Sequence, residues 1–504
     1  MLPQGVLNFQ YEAEPSCAGL TSLGGLPLYL DLIRASGMVA AIRQFVQVAG
    51  PQGWLDLQMM LALIFVNLAG GDCLADLERL EQDSGFTAVL ATVESELLTR
   101  AERRALQQRW RRERMRTVPS PNATAAWLER FHDPATPPAL AGRAVIPAVT
   151  EPLQALWQVN QALLGFLQAH RPARVATLDM DATLIATHKR AALPCYKGFK
   201  AYQPLNCWWA EQGVMLYSEF RDGNVPAGHE QRRVLQDALA QVPGSVSKVA
   251  LRSDSAGYQQ DLLLYCGEGK DPRFGVIDFA ISADVTPAFR EAVLASPERE
   301  WRPLLRMFDG KPQESGQEWA EICYVPAWAG DSRHRADYRF LAIREKLAER
   351  PLDDAPELPF PTQAFGTKGT YKLFGVVTNR KEAGDTVIWW HRERCGDSEQ
   401  AHAVVKSDLA GGQLPSQVFG ANAAWWAISL LTHNLTAVMQ RLALGQAWIG
   451  KRMKAMRFRL IGLPGRVIRH ARRLIIRLGG DAAALPIIIQ ARQTIRKLAA
   501  VPTG

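Results

Sequence analysis

Residues 175–183 have the sequence Val175-Ala-Thr-Leu-Asp-Met-Asp-Ala-Thr183, and this stretch decides the fold class. Leu178 and Met180 alternate with Asp179 and Asp181, which is the pattern of a β-strand with one apolar and one polar face. A carboxylate at the edge of such an element is costly unless a positive charge lies beside it. The stretch therefore predicts a buried strand that presents carboxylates to a cation.

Two later stretches present further carboxylates. Val249-Ala-Leu-Arg-Ser-Asp-Ser-Ala-Gly257 puts Asp254 at the end of a second predicted strand. Glu399 lies on a predicted helix, where His402 and Lys406 share its face because they follow it by three and seven positions. A lone Asp at a strand end is more often a helix cap, and a lone Glu–Lys pair is more often solvated. Together with the first strand, however, the three carboxylates suit a hard cation such as Mg²⁺ and predict phosphoryl transfer on a polynucleotide.

The composition is that of a globular protein with several domains. The chain has 504 residues, of which 47% are hydrophobic and 21% are charged. Its seven cysteines are scattered without a Cys-x-x-Cys pair, which predicts reduced thiols in the cytoplasm rather than a zinc site or a disulfide framework. The N-terminus lacks the basic and apolar regions of a signal peptide. The early apolar run at residues 59–66 is too short to cross a membrane, so no membrane partner is expected.

Positive charge is concentrated near the C-terminus. The net charge of the chain is +8, and residues 451–504 alone contain thirteen Lys or Arg and a single acid, Asp481. Interleaved with Ile, Leu and Phe, these cations favour a polyanionic partner. A basic amphipathic tail can also bind a membrane surface or fold onto an acidic face of its own chain. Eight Arg at residues 100–116 form a second cluster, for which a solvated helix face is an equal alternative.

Hydrophobic periodicity divides the chain into five segments. About 100 residues separate the last clear core strand from the helix of Glu399, which is too many for a loop. Within that stretch and just after it, short strands are predicted, including one at residues 386–390. The predicted segments are a helical N-terminal region that contacts DNA ends (1–165), the first part of an α/β core (166–295), an inserted β-rich subdomain (296–385), the last part of the core with Glu399 (386–450) and a basic helical tail (451–504).

The spacing of the two carboxylates on the first strand has a second interpretation. In haloacid-dehalogenase phosphatases, the first Asp of such a pair is a nucleophile and the second is a general acid. That fold also needs a later Gly-Asp-x-x-x-Asp motif, and the candidates that begin at Gly330 and Gly396 end in Arg335 and Ala401. The phosphatase is therefore the weaker alternative, and an RNase H-like first strand is favoured.

Together, these motifs resemble the DDE transposases of bacterial insertion sequences, and more narrowly the insertion-sequence 1380 family. The resemblance rests on the two strand carboxylates and on Arg394, Glu399 and Lys406 ahead of an apolar helix. Further blocks extend it over nearly the whole chain, at residues 24–26, 70–76, 197–205, 221–224, 407–415 and 422–426. The blocks are specific together and weak singly.

The resemblance implies an RNase H-like core, in which helices flank a mixed sheet, and an enzyme that depends on Mg²⁺ or Mn²⁺. Asp181, Asp254 and Glu399 would hold two ions, with Asp179 as the alternative ligand on the first strand. The cations that would contact DNA phosphates without reading sequence are Arg394, Lys406, Arg452, Lys454, Arg457 and Arg459.

The chain departs from the pattern of the wider clan at two positions. Trp390 or His391 stands near the place of a signature Tyr, which puts the contacts of that Tyr in doubt. Arg394 precedes Glu399 by five positions where the clan has four, so its phosphate contact is expected to be displaced.

The resemblance also implies the substrate. The enzyme would cut double-stranded DNA at terminal inverted repeats and join the freed ends to target DNA, as a homodimer at the bacterial nucleoid. An inactive, domesticated DNA-binding protein is the rival interpretation, although all three carboxylates are present. The wider clan excises its elements through a DNA hairpin. If this chain does so, Trp301, Trp319 or Trp328 is a candidate to stack on an unpaired base.

Overall fold

The computed structural model describes residues 12, 14, 16–136, 143–326, 328, 338–347, 360–471, 473–480 and 483–500. The chain forms two compact units. The helical unit comprises residues 1–133, 150–166 and 404–504, and the sheet unit comprises residues 134–149 and 167–403.

The helical unit contains two helices that are buried along nearly their whole length. These are α3 (Asp56–Ala69) and α14 (Phe419–Val438), and the Asn67 side chain of the first donates to the Ser429 hydroxyl of the second at 3.3 Å. A small antiparallel sheet joins β1 (Leu20–Thr21), β14 (Gly465–His470) and β15 (Arg473–Leu478). The other helices that lie in this unit are α1 (Leu28–Ala35), α2 (Met38–Phe45), α4 (Leu77–Gln82), α5 (Ser84–Leu97), α6 (Arg100–Gln108), α7 (Pro121–Glu129), α15 (Met453–Met456) and α16 (Ala484–Ala499), and α8 (Glu151–His170) begins in it.

The apolar run at residues 59–66 forms the middle of α3, and the structure confirms that this helix is buried. Within the described residues, no single helix is long and apolar enough to cross a membrane. One pair, Asp56–Ala69 with Leu74–Gln82, has the length and composition jointly, but it is bent by 97°.

The sheet unit is organised around β2 (Val175–Ala182). This strand runs antiparallel to β5 (Leu205–Trp209) and parallel to β7 (Lys248–Ser253). The other strands of the same sheet are β6 (Val214–Glu219), β8 (Asp278–Ala283), β9 (Arg302–Phe308), β10 (Lys311–Ile322), β11 (Arg339–Lys346), β12 (Thr362–Ala364) and β13 (Thr370–Thr378). In the part of the chain that the structure describes, the strand order is β6-β5-β2-β7-β8-β13-β11-β10-β9, with β12 paired to β13. A separate ribbon joins β3 (Ile185–Ala186) to β4 (Ala201–Tyr202).

Five further helices follow or interrupt these strands. They are α9 (Gln231–Gln241), α10 (Gln260–Gly267), α11 (Pro287–Ala295), α12 (Gly384–Arg392) and α13 (Arg394–Ala403). α9 packs against β6, α10 and α12 pack against β8, and α13 packs against β2. The prediction of a mixed sheet flanked by helices is therefore confirmed.

The strand predicted at residues 386–390 is wrong, because these residues lie within α12. Val387, Ile388 and His391 are buried together on the face that packs on the sheet. A five-residue apolar run carries too little periodicity to distinguish this helical face from a strand.

The strands of the predicted insertion, residues 296–385, continue the core sheet. β13 pairs antiparallel with β8, and one buried apolar cluster includes Ala280 of β8, Trp319 of β10 and Val387 of α12. The sheet thus runs without a break into the segment that the sequence predicts as a subdomain. Residues 329–337 and 348–359 of that segment lie outside the described residues.

The C-terminal tail is not wholly helical, because β14 and β15 form a hairpin between α15 and α16. Residues 473–478 read Arg-Leu-Ile-Ile-Arg-Leu, and their exposure alternates between half-buried and exposed side chains. This alternation and the β-branched residues favour a strand. Arg472 and residues 481–482 lie outside the described residues.

Candidate active site

Asp181 and Asp254 lie at the same edge of the sheet, at the ends of neighbouring parallel strands. The register of β2 and β7 pairs Met180 with Ser253. Continued by one residue, it sets Asp181 beside Asp254 on strands about 4.8 Å apart. Both carboxylate residues are partly exposed, whereas Met180 and Ser253 are buried. The fold therefore brings together the two Asp residues that the sequence singles out.

The loop after β7 is held by close contacts. The Asp254 carboxylate accepts a hydrogen bond from the Ala256 amide at 3.0 Å, so it also caps the short 3₁₀ turn that follows. Gly257 lies so close to β7 that an added Cβ would be 2.5 Å from the Ser253 hydroxyl oxygen. Both the cap and the glycine fix the backbone that carries Asp254.

His391 braces this loop from α12. Its Nε2 lies 2.9 Å from the Ser253 carbonyl oxygen. A carbonyl oxygen can only accept, so Nε2 carries the proton. Burial lowers the pKa of His391 to about 3, with the nearby Arg394 charge adding to the effect. The ring is therefore a neutral donor that positions the residue before Asp254.

Glu399 comes from α13, which is interrupted near its start. Cys395 and Gly396 have non-helical backbone angles, and the φ of +114° at Gly396 is one that other residues rarely adopt. The break separates Arg394 from the regular turn that carries Glu399. Because α13 packs on β2, Glu399 lies near enough to Asp181 for its charge to act on that carboxyl.

The three carboxylates concentrate negative charge at Asp181. Burial raises the pKa of Asp181 from 3.8 to about 6, and the charges of Asp254 and Glu399 add to the rise. The Arg394 guanidinium opposes it. His402 Nδ1 lies 4.0 Å from an Asp181 carboxylate oxygen. A bound cation would relieve this repulsion.

Asp179 has a different partner. Its two carboxylate oxygens accept hydrogen bonds from Arg252 on β7 at 2.6 and 2.9 Å, and both side chains are 3% exposed. Burial raises the pKa of Asp179, and Arg252 counteracts the rise. Arg252 also donates to the Trp390 carbonyl oxygen and to Glu393. The buried ion pair of Asp179 and Arg252 thus links β2 to β7. This role argues against the alternative that Asp179 is the metal ligand.

The chemistry of the three carboxylates fits a hard divalent cation, since all the ligand atoms are oxygens and each comes from a different element. The oxygens of these three carboxylates do not all lie within 4.8 Å of one another. Among the described residues, the ligand atoms of Asp72, Cys73 and Asp76 do. In that group, Asp76 already accepts the amide hydrogens of the other two residues. A site for two ions about 3.5–4 Å apart needs no common point for all three carboxylates.

The family of the chain follows from a sequence comparison. The chain matches the family described as Transposase DDE domain, group 1, over residues 8–326 and 362–500, which is most of its length. The chain belongs to this family of DDE transposases. It is therefore a transposition enzyme that acts on DNA, and enzymes of this type generally use divalent metal ions.

Comparisons with individual proteins add little to this result. No curated protein matches the sequence of the transposase. Among solved structures, a piggyBac transposase synaptic complex with hairpin DNA is similar over 96% of this chain and 83% of that chain. The sequence identity is 11% and the TM-score is 0.41.

Two of the cations predicted to contact DNA form hydrogen bonds within the helical unit of the transposase. Arg452 forms a bidentate ion pair with the buried Asp408 at 2.9 and 3.2 Å. Arg457 donates to main-chain carbonyl oxygens, including that of Asn67 at 2.7 Å. These contacts give both residues a stabilising role. The Arg452 side chain is also exposed, and the predicted phosphate contacts stay predictions.

The other cations predicted to contact DNA differ in exposure and in location. Lys454 and Arg459 are exposed. Arg394 is half-buried, and its Nε has no acceptor among the described residues. Lys406 lies in a π-helical turn, Val404–Asp408, and belongs to the helical unit.

The three tryptophans considered for base stacking have partners within the sheet unit. Trp301 and Trp319 are 7% exposed, and the Arg344 guanidinium lies 4.1 Å from the ring centroid of Trp301. Trp319 belongs to the buried apolar cluster. Trp328 packs edge-on against Tyr338 at 5.6 Å. The first two are therefore core residues, which corrects the stacking hypothesis for them.

The roles of Arg252 and His391 in holding the carboxylates are not predicted from the sequence, which points to His391 only as a stand-in for the signature Tyr. Arg252 was visible as a cation in the second predicted strand, and the structure pairs it directly with Asp179 of the first. Nothing in the sequence indicates that His391 contacts Ser253, because that contact depends on the helix that replaces the predicted strand.

We expect that Asp181→Asn stabilises the metal-free transposase at pH 7.5. The ionised carboxylate opposes folding, because its pKa is about 6 in the folded protein and 3.8 ordinarily. This shift corresponds to an upper bound of about 3 kcal/mol. The gain should shrink as pH falls through 6 and vanish near pH 4, where both states are protonated. Thermal unfolding in EDTA measures it, and an Asn variant no more stable than wild type at pH 7.5 would contradict the charge assignment.

Asp179→Asn should have the opposite effect. It leaves Arg252 buried without its counter-charge, which costs about 3–5 kcal/mol of unfolding free energy. Urea unfolding gives the value, and Asp261→Asn is the matched control because Asp261 is exposed at the start of α10. Equal stability of Asp179→Asn and the control would show that the ion pair of Asp179 and Arg252 does not stabilise the fold.

Proposed function

We propose that this transposase cuts DNA at the ends of its element and joins the freed ends to target DNA, with Asp181, Asp254 and Glu399 as the catalytic carboxylates. The observation that carries the proposal is the position of Asp181 beside Asp254 at one edge of the sheet, with Glu399 near enough for its charge to act on Asp181. Burial, together with the charges of Asp254 and Glu399, raises the pKa of Asp181 to about 6. Such a concentration of negative charge is a device for binding cations.

We further propose that β2, β5, β6, β7 and β8 are an RNase H-like core. In support, the order β6-β5-β2-β7-β8 places the first strand of the core in its centre. The first three strands are antiparallel and the last two are parallel to β2 and to each other. Asp181 and Asp254 then lie on the two central strands.

Divalent ions, which we propose to be two Mg²⁺ or Mn²⁺, would be held by Asp181, Asp254 and Glu399. When bound, they would activate a water or a 3′-hydroxyl and stabilise the leaving oxygen. Other residues of the chain hold these carboxylates in place. His391 and the Gly257 turn fix Asp254, Arg252 fixes β2 against β7 through Asp179, and Arg394 offers a cation beside Asp181.

For the DNA partner, we propose double-stranded terminal repeats and target DNA, contacted through exposed cations of the tail. Lys454 and Arg459 are exposed, and Arg466 lies directly opposite Arg477 in the hairpin of β14 and β15. Like charges at such a position repel, so a polyanion would relieve them. The homodimer in the DNA complex, the insertion-sequence 1380 family, a bacterial source and a cytoplasmic location at the nucleoid are further parts of this proposal.

The test of the catalytic assignment is cleavage of a plasmid that carries the gene with its flanking DNA. Asp181→Ala, Asp254→Ala and Glu399→Ala should each lower Mg²⁺-dependent cleavage by about 100-fold or more, because even outer-shell partners of metal ligands contribute about 10–100-fold. DNA binding should persist. Asp261→Ala is the matched control and should cleave normally.

The same experiment distinguishes an active transposase from an inactive, domesticated DNA-binding protein. Wild-type protein that binds the flanking DNA but does not cut it with Mg²⁺ or Mn²⁺ would be a domesticated binding protein. Full cleavage by any one of the three alanine variants would remove that residue from the catalytic set.

The tail gives a separate prediction for DNA binding. Replacing Lys454 and Arg459 together by Ala should flatten the slope of log affinity against log salt by about 1.8, since each phosphate contact contributes about 0.9. Arg457→Ala should leave that slope unchanged and lower the thermal stability, because Arg457 binds carbonyl oxygens of its own chain. An unchanged slope in the double variant would exclude these two cations from the DNA interface.

A further inference from the structure

Residues 193–200 form a tight hairpin with aromatic rings at its tip, here called the aromatic hairpin. The Cys195 amide donates to the Phe199 carbonyl oxygen at 2.9 Å, and the Gly198 amide donates to the Cys195 carbonyl oxygen at 2.9 Å. Tyr196 is 76% exposed and Phe199 is 41% exposed. Both rings belong to the sheet unit, in which Trp301 and Trp319 are buried.

The aromatic hairpin lies on a ribbon that continues the strand of Asp181. Beyond the end of β2, the Thr183 amide donates to the Pro204 carbonyl oxygen at 3.0 Å, and β3 then pairs with β4. The Thr187 amide donates to the Lys200 carbonyl oxygen at 3.0 Å. Thr187 follows Asp181 by six positions, and about 3.3 Å per residue puts the base of the hairpin at most about 20 Å from Asp181.

The base of the aromatic hairpin is anchored to the turn after β6. The Asp222 carboxylate accepts hydrogen bonds from the Leu193 amide at 2.9 Å and from the Gly223 amide at 2.8 Å. Gly223 packs so closely that an added Cβ would be 2.3 Å from the Ala201 carbonyl oxygen. The exposed rings are thus held by a rigid support, so little conformational entropy would be lost when they bind a partner.

Positive charge surrounds the rings. Residues 187–202 contain four Lys or Arg and no acid. Lys197 Nζ lies 5.6 Å from the centroid of the Tyr196 ring. Lys200 Nζ donates to the Arg190 carbonyl oxygen at 3.0 Å, which keeps its charge at the base of the hairpin. Exposed rings among cations match single-stranded nucleic acid, whose bases stack on the rings while its phosphates pair with the cations.

We propose that the aromatic hairpin binds the DNA substrate, with the Tyr196 ring stacked on an unpaired base and Lys197 and Lys200 on the neighbouring phosphates. The inference rests on the proposed function, because it takes DNA as the substrate of the same unit. The base of the hairpin lies at most about 20 Å from Asp181, which is about six nucleotides at the duplex spacing of about 3.4 Å. The hairpin then holds DNA open, or already opened, a few nucleotides from the cut.

The test compares binding of the full-length protein to two fluorescent probes, a blunt DNA duplex and the same duplex with a short single-stranded overhang. Wild type should prefer the overhang. Tyr196→Ala should lower the affinity for the overhang probe by about tenfold and leave the blunt probe nearly unaffected, because the lost contribution is stacking. Tyr196→Phe, which keeps the ring, should bind as wild type does. Phe308→Ala is the matched control, since Phe308 is an exposed aromatic (56%) at another turn of the sheet unit.

The outcomes separate this inference from the proposed function. If Tyr196→Ala binds the overhang probe as tightly as wild type, or loses affinity for both probes equally at an unchanged melting temperature, stacking by the hairpin is excluded. Cleavage of plasmid DNA by the same variant would still support the catalytic carboxylates. If wild type fails to cleave but Tyr196→Ala loses its overhang preference, the hairpin is a DNA contact and the cleavage function is wrong.

Discussion

The parallel register of β2 and β7 is the constraint on which the candidate active site depends. It sets Asp179 opposite Arg252 and, two residues later, puts Asp181 beside Asp254. The first pair attracts and is buried, while the second pair repels and is partly exposed. A shift of one residue would exchange the faces of both strands and destroy both arrangements. The buried ion pair thus stabilises a register that holds two like charges together.

The elements around this edge serve the same geometry. His391 and the Gly257 turn hold the backbone before and after Asp254, and the break at Gly396 allows α13 to bring Glu399 to β2. The ribbon of β3 and β4 follows Asp181 in the chain and ends in the aromatic hairpin. Repulsion among the three carboxylates lowers the stability of the metal-free fold, and a cation would recover it. The stability of the fold and the binding of a cation are therefore coupled at these three carboxylates.

The sequence predicts β2 and β7 well, because both have a clear strand pattern. It also identifies Asp181 and Asp254, since a carboxylate at the end of an apolar strand is visible without a structure. It does not predict α12, whose apolar run is too short to define a period. It also fails to separate Arg457 from Arg459, because the burial of one cation and the exposure of its neighbour depend on tertiary contacts with α3.

Function could be inferred from the sequence at the level that the family match supports, namely DNA transposition. The separate insertion subdomain could not be judged from periodicity, because antiparallel strands look the same whether they form a new sheet or extend an old one. Here β13 pairs with β8, and the sheet continues. The exposed rings of the aromatic hairpin were equally invisible, since Tyr and Phe in a β-rich segment usually indicate core.

The most direct measurement of the central claim is an anomalous difference map from crystals of the full-length protein soaked with Mn²⁺. A joint site at Asp181, Asp254 and Glu399 predicts one or two peaks that together contact all three carboxylates, and loss of the density beside Asp181 in Asp181→Asn crystals. A map with no density at these residues, or with a peak only at Asp72, Cys73 and Asp76, would contradict it.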